Sequence, residues 1–181
     1  PQLLAGALII GVVCGFLARF LVVGIHFFEK LFLKSTFQKY KARSIAVIFL
    51  SVLAFFKFES PYIGLGYHYV HSAFETVNSI WMAPLKIFWS ALSLGMGFKG
   101  GEFVPSVFAG SFAGNAISQL LGLPLQQLAA LGYVSVFGAA ANIPVTATLL
   151  ACGLFGFNIL PFAALSSAVA FFVSGPVSLF A

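Results

Sequence analysis

The sequence predicts an all-α multispanning membrane protein built from broken, tilted helices. Three observations carry that reading. Hydrophobic residues make up 61% of the chain and charged ones only 7%, with mean hydropathy +1.07. A soluble domain carries about 25% charged residues. No charged side chain follows Glu102 as far as Ala181. In that charge-free half the apolar segments are short and punctuated by Gly, Pro and Asn, the pattern of helices that stop around a midplane site.

The first apolar segment covers residues 3–33. About 20 residues cross a bilayer upright, so a longer run crosses it tilted. Arg19 interrupts it, and a charge at that depth faces the protein interior or snorkels to the surface. Gly6, Gly11, Gly15 and Gly24 form a small-residue face for close helix packing. Residues 34–43 hold Lys34, Lys39, Lys41 and Arg43 with no acid. The positive-inside rule makes this loop cytoplasmic. A second apolar segment, 44–56, ends at Lys57-Phe58-Glu59-Ser60-Pro61 at the opposite surface. Residues 62–80 are more polar and read as a loop with a short amphipathic helix at an interface or cavity. Trp81 and Trp89 flank the next span, 83–97.

The later segments are 103–121, 125–141, 145–155 and 159–173. They end at Gly122-Leu123-Pro124, Asn142-Ile143-Pro144, Gly156-Phe157-Asn158 and Ser174-Gly175-Pro176. These breaks combine turn-forming or capping residues with prolines that suit a helix's first turn. The chain is expected to be one transmembrane domain over residues 1–181, with no soluble domain or linker. Pro1 in place of a methionine, with no signal-peptide pattern, reads as an internal or C-terminal piece of a longer protein. The net charge of +5 does not indicate nucleic acid, because the positive residues are few and several share one loop.

Between the two kinds of segment lies Gly97-Phe98-Lys99-Gly100-Gly101-Glu102-Phe103-Val104-Pro105. Pro105 suits a helix's first turn. Gly100 and Gly101 let the backbone turn and approach a ligand. A helix starting here aims its free N–H groups, those of Glu102, Phe103 and Val104, and its positive dipole end at a site within the membrane. An anion can then bind without a full positive charge. The competing reading is an ordinary interhelical turn with Glu102 as a helix-start acid. A carboxylate there competes with a bound anion, so it turns away, is protonated, or exchanges protons. Burial at that depth would raise its pKa.

Other candidates are weaker. His68 and His71 share a helix face with Glu75, but a metal site needs more ligands than these. Ser111, in Gly110-Ser111-Phe112-Ala113-Gly114, could serve an intramembrane hydrolase. Such a nucleophile needs a histidine base, and no histidine follows His71. Close packing at Gly110 and Gly114 is the simpler reading. Thr146 and Thr148 are expected to bond back to their own helix. Cys14 and Cys152 read as small buried hydrophobes. An unrelated broken-helix transporter fits the same pattern of interruptions.

The order of elements resembles the C-terminal half of the CLC family of chloride channels and anion/proton antiporters. Gly100-Gly101-Glu102-Phe103-Val104-Pro105 is similar to that family's G-x-F-x-P signature. Gly132-Tyr133-Val134-Ser135-Val136-Phe137-Gly138-Ala139-Ala140-Ala141-Asn142-Ile143-Pro144 is similar to its glycine- and alanine-rich segment. The resemblance implies one half of an inverted-repeat fold and a homodimer with one pore per subunit. It also implies transport of chloride or a related small anion, by a channel or by an antiporter that exchanges protons, with no catalysis and no cofactor. Glu102 and Phe103 match the positions whose N–H groups hold the central anion. Phe103 would wall the path, and Lys99 would concentrate anions or pair with Glu102. The family's late tyrosine has Ser178 as its closest position here. Helices after Pro144 and Asn158 fall where the family dimerises. Glu102 resembles the fluoride-exporting subgroup's G-E-F-T-P pattern, but Val104 replaces the threonine, so chloride comes first.

Overall fold

The structure, a computed structural model, describes residues 2–32, 40–41, 44–45, 48, 52, 61–62, 64–98 and 100–176. Most of the expected basic loop and second apolar segment lies outside these residues, as do Lys99 and Ser178. Every regular element among the described residues is helical.

Helix α1, Gln2–Phe32, has 31 residues, a length of about 46 Å at 1.5 Å per residue. That exceeds the roughly 30 Å hydrocarbon core and leaves room for tilt. It buries one stripe, Gly6, Ile10, Cys14, Ala18 and Leu21. Phe16, Phe20 and Phe27 point outward. A Cβ on Gly11 or Gly15 would collide with Val169 or Val173. Gly11 and Gly15 therefore form a seam with the last helix, while Gly6 meets Leu123 and Leu128 and Gly24 meets Ala91. Arg19 is exposed, in line with snorkelling to a surface.

Three helices follow the poorly covered stretch: α2 (Tyr67–Glu75), α3 (Met82–Gly95) and α4 (Phe103–Leu121). Next come α5 (Leu125–Ala140), α6 (Pro144–Phe155), a 3-10 turn (Phe157–Ile159) and α7 (Leu160–Ser174). Helix α2 lies within the expected 62–80 stretch, and the other expected segments agree with these to within two residues at either end. Helices α5, α6 and α7 have 16, 12 and 15 residues, or about 24, 18 and 22 Å. None alone matches the hydrocarbon thickness.

The breaks use residues with positive φ. Gly122, Asn142, Gly156 and Gly175 have φ of 63°, 60°, 88° and 74°. Asn142 is the residue other than glycine that tolerates this region best.

Helices α4 and α5 form the most extensive pair. A Cβ on Gly110 would run into the Gly132 carbonyl, and one on Gly114 into the Leu128 carbonyl. The two backbones touch there, so the Gly110–Gly114 pattern is a packing motif. Ser111 is fully buried, and its hydroxyl donates to the Val107 carbonyl at 2.8 Å. That is a back-bonded helix serine, and the hydrolase reading is set aside. Thr148 likewise donates to Pro144 at 2.9 Å, while Thr146 is exposed. Cys14 and Cys152 are free and buried.

Candidate anion site

The site begins at the end of α3. The Phe98 N–H donates to Ser93 and the Gly97 N–H to Leu94, which is a Schellman closure. It requires a left-handed residue, and Gly97 supplies one at φ 86°. The sequence reading placed the special backbone at Gly100 and Gly101 instead. Gly101 does not have positive φ. Among the described residues, a Cβ on Gly101 would meet nothing within 4 Å, and one on Gly100 would meet Leu94 at 3.5 Å. The described residues leave open space at these two glycines in front of the next helix.

Helix α4 then starts with Glu102 as its N-cap residue. The first intrahelical bond runs from the Ser106 N–H to the Glu102 carbonyl at 3.2 Å, and the Ser106 hydroxyl joins the same oxygen at 2.7 Å. The N–H groups ahead of that bond, on Glu102, Phe103 and Val104, have no acceptor within the helix. Pro105 lacks an N–H, so the third residue of the helix contributes no further donor.

The Glu102 side chain makes no cap hydrogen bond. It is half-buried among the described residues. His71–Glu75 is the ion pair found among the described residues, and Glu102 forms none with Arg19. Its pairing with Lys99 falls outside them.

Phe103 is 38% exposed and packs edge-on to Phe137, with centroids 4.8 Å apart, and to Tyr133 at 6.2 Å. Tyr133 meets Phe155 at 5.8 Å, and Phe155 stacks on Phe74 at 5.6 Å. Phe103 and Val104 thus line a half-open cleft of about 300 Å3 together with Tyr67, Val70, His71, Phe74, Val107 and Leu154. His71 lies 3.3 Å from Glu75, and His68 is exposed.

Free N–H donors, the positive end of a 19-residue helix and aromatic walls can bind a partly dehydrated anion. The dipole supplies about half a positive charge at the first turn. Aromatic rings contribute their positive edges to such a ligand. The sequence reading missed the aromatic wall from α2 and α5. Its signal was the concentration of aromatics at 67–74 and at Tyr133 and Phe137, which became informative only once the helices were placed side by side.

Residues 1–175 match the family model described as voltage gated chloride channel. Over 119 residues the chain is 40% identical to a chloride/fluoride channel protein of Pseudomonas syringae pv. tomato (strain ATCC BAA-871 / DC3000), covering 66% of this chain and 26% of that protein. The fold matches a crystal structure of a CLC-type fluoride/proton antiporter with a TM-score of 0.90 at 28% identity. That match covers 99% of this chain and 46% of the solved one, so the chain spans under half the length of the relatives it matches.

Proposed function

The chain belongs to the voltage-gated chloride channel family, and from that premise we propose that the protein carrying it moves a small inorganic anion across a membrane. The carrying observation is the first turn of α4. Its N–H groups on Glu102, Phe103 and Val104 lack helix partners, the Glu102 carboxylate does not cap them, and two of these residues, Phe103 and Val104, line an aromatic cleft. These three N–H groups hold the anion. Phe103 walls its path, and the glycines at 100 and 101 leave room for it to approach. Pro105 ends the donor set. Lys99 and Ser178 keep their sequence-based roles, as a source of positive potential and as the position closest to the family's late tyrosine.

The chain contributes the second of two inverted halves in a homodimeric protein, with the loop at 34–43 on the cytoplasmic side. Chloride is the first candidate ligand. Fluoride is the second, favoured by the acid at Glu102 and by the fluoride named for both relatives, and disfavoured by Val104. Channel and anion/proton antiporter remain the two modes.

The test is anion efflux from liposomes that hold the full-length protein, with chloride and fluoride electrodes and a pH probe run together. Chloride flux supports the reading, and proton counterflow makes it exchange. Fluoride-selective flux assigns Glu102 to fluoride handling despite Val104. No flux of either ion from folded protein overturns the proposal.

A further inference from the structure

Lys86 lies inside α3, an apolar helix, and is only 1% exposed. Lysine is rarely buried so fully unless its charge is satisfied. No carboxylate pairs with it among the described residues. Instead its Nζ donates to the carbonyls of Gly64 at 2.8 Å, Pro61 at 3.2 Å and Tyr62 at 3.5 Å. The same Nζ sits 4.9 Å from the centre of the Phe108 ring on α4, within reach of a cation–π attraction. The loop also closes on that ring from its own side. A Cβ on Gly66 would come within 3.0 Å of Phe108 and 2.8 Å of the Pro61 carbonyl. Helix α2 starts at the next residue, and the Gly66 carbonyl accepts its first two bonds, from Tyr69 and Val70.

The other end of α2 is held by a second buried polar group. Asn115, on α4, is 1% exposed. Its amide donates to the Ala73 carbonyl at 2.8 Å and the Thr76 carbonyl at 2.7 Å. Its oxygen accepts from the Asn78 N–H at 3.1 Å and from Gln119 at 2.7 Å. Every hydrogen-bonding site of that side chain facing α2 is spent on the backbone that leaves the helix.

Both groups grip backbone, and both sit on helices of the anion-site scaffold. Between them lie Tyr67, His71 and Phe74, the side chains with which α2 faces Phe103. A nine-residue helix is too short to hold itself. We propose that Lys86 and Asn115 are positioning residues for the anion path, latching the two ends of α2 so that it forms a fixed wall opposite the first turn of α4. This rests on the anion-transport reading above. The N–H groups bind the anion, and the latches set how much room it has, so their loss relaxes discrimination between anions of different size.

The test uses the full-length protein in liposomes and compares Lys86→Met, Lys86→Arg and Asn115→Asp with the parent. Asn115→Asp keeps the volume and the acceptor while removing both donors to α2. The first readout is the ratio of chloride to thiocyanate flux. The expected change in Lys86→Met and Asn115→Asp is about fivefold towards the larger anion, the effect of losing hydrogen bonds to a buried group. Lys86→Arg should restore part of the ratio. The second readout is hydrogen exchange of the α2 amides in detergent, expected to quicken about tenfold in Asn115→Asp as the helix frays locally.

An unchanged flux ratio, with all rates reduced in proportion to the folded fraction, would make the two residues merely structural and overturn the proposal. Unchanged α2 exchange would overturn it too. If Lys86→Met does not fold, Asn115→Asp decides. If the parent itself moves no anion, the transport reading fails while the exchange result still judges the latch.

Discussion

At the scale of single residues, the question is how Glu102 and the N–H groups beside it coexist. A carboxylate at a helix N-terminus is ordinarily stabilising, and it competes with an external anion for the same positive potential. Its carboxyl makes no cap bond, and Ser106 engages its carbonyl instead. Replacing Glu102 with glutamine removes one negative charge beside the site while keeping its shape. The expected result is a fall of about tenfold in the anion concentration giving half-maximal flux, from Coulomb repulsion at a few ångströms in a medium of intermediate dielectric. Flux measured against anion concentration checks it, and an unchanged half-saturation would place the carboxylate away from the anion. Gly101 gives a complementary test. Among the described residues nothing lies within 4 Å of a Cβ there, so Gly101→Leu should leave the fold intact. It should nevertheless cut anion flux about tenfold by filling the approach, a loss of the size expected when a ligand group is displaced by ~1.4 kcal/mol. Thermal unfolding in detergent alongside flux separates the two effects. Undiminished flux would take Gly101 out of the path.

At the scale of elements, glycines fall into two groups that the sequence alone does not separate. Gly114 touches backbone, and a Cβ there would meet the Leu128 carbonyl. Gly153 meets nothing within 4 Å. Gly114→Val should destabilise the α4–α5 pair by about 3 kcal/mol or prevent folding, because backbone cannot move aside as a side chain can. Gly153→Ala should gain up to about 1 kcal/mol in the isolated subunit, since alanine is the better helix former. Melting temperatures of the two variants in detergent check both signs. Much of this level was legible beforehand. The boundaries of α4 to α7 follow from Pro and Gly or Asn at each break, and the seam of α1 with α7 follows from Gly11 and Gly15, four residues apart. Other features were not legible, because they depend on which elements meet. Lys86 was a visible anomaly, a charge inside an apolar run, but its acceptors lie some 22 to 25 residues away. Asn115 sits in a charge-free helix where an amide looks like a minor blemish. The positive φ at Gly97 was not legible either, because it is set by the closure of α3 rather than by a ligand.

At the scale of the whole molecule, the outward surface must meet either lipid or protein, and the two make different demands. Val145 and Leu149 lie four apart on one face of α6, 73% and 62% exposed, and Phe157 beyond it is 79% exposed. Helix α6 is 12 residues and mostly apolar, with Thr146 and Thr148 its polar side chains. An apolar helix that short is poorly matched to lipid on its own, since about 20 residues are needed to cross. In the homodimer proposed above, this face would carry the contact between the two copies. Leu149→Trp discriminates between the surroundings. Against lipid, an indole is accommodated at little cost, because tails flow around it. Against a packed protein face, the extra volume has nowhere to go, and overpacking of that kind costs about 1–3 kcal/mol at each contact. In a two-fold interface the substitution enters twice, once from each subunit. The expected outcome is a shift from dimer to monomer, read by light scattering in detergent and by cross-linking in liposomes, while the helical content of each subunit stays unchanged. A variant that stays fully dimeric at parental dilution would assign the α6 face to lipid and move the subunit contact elsewhere.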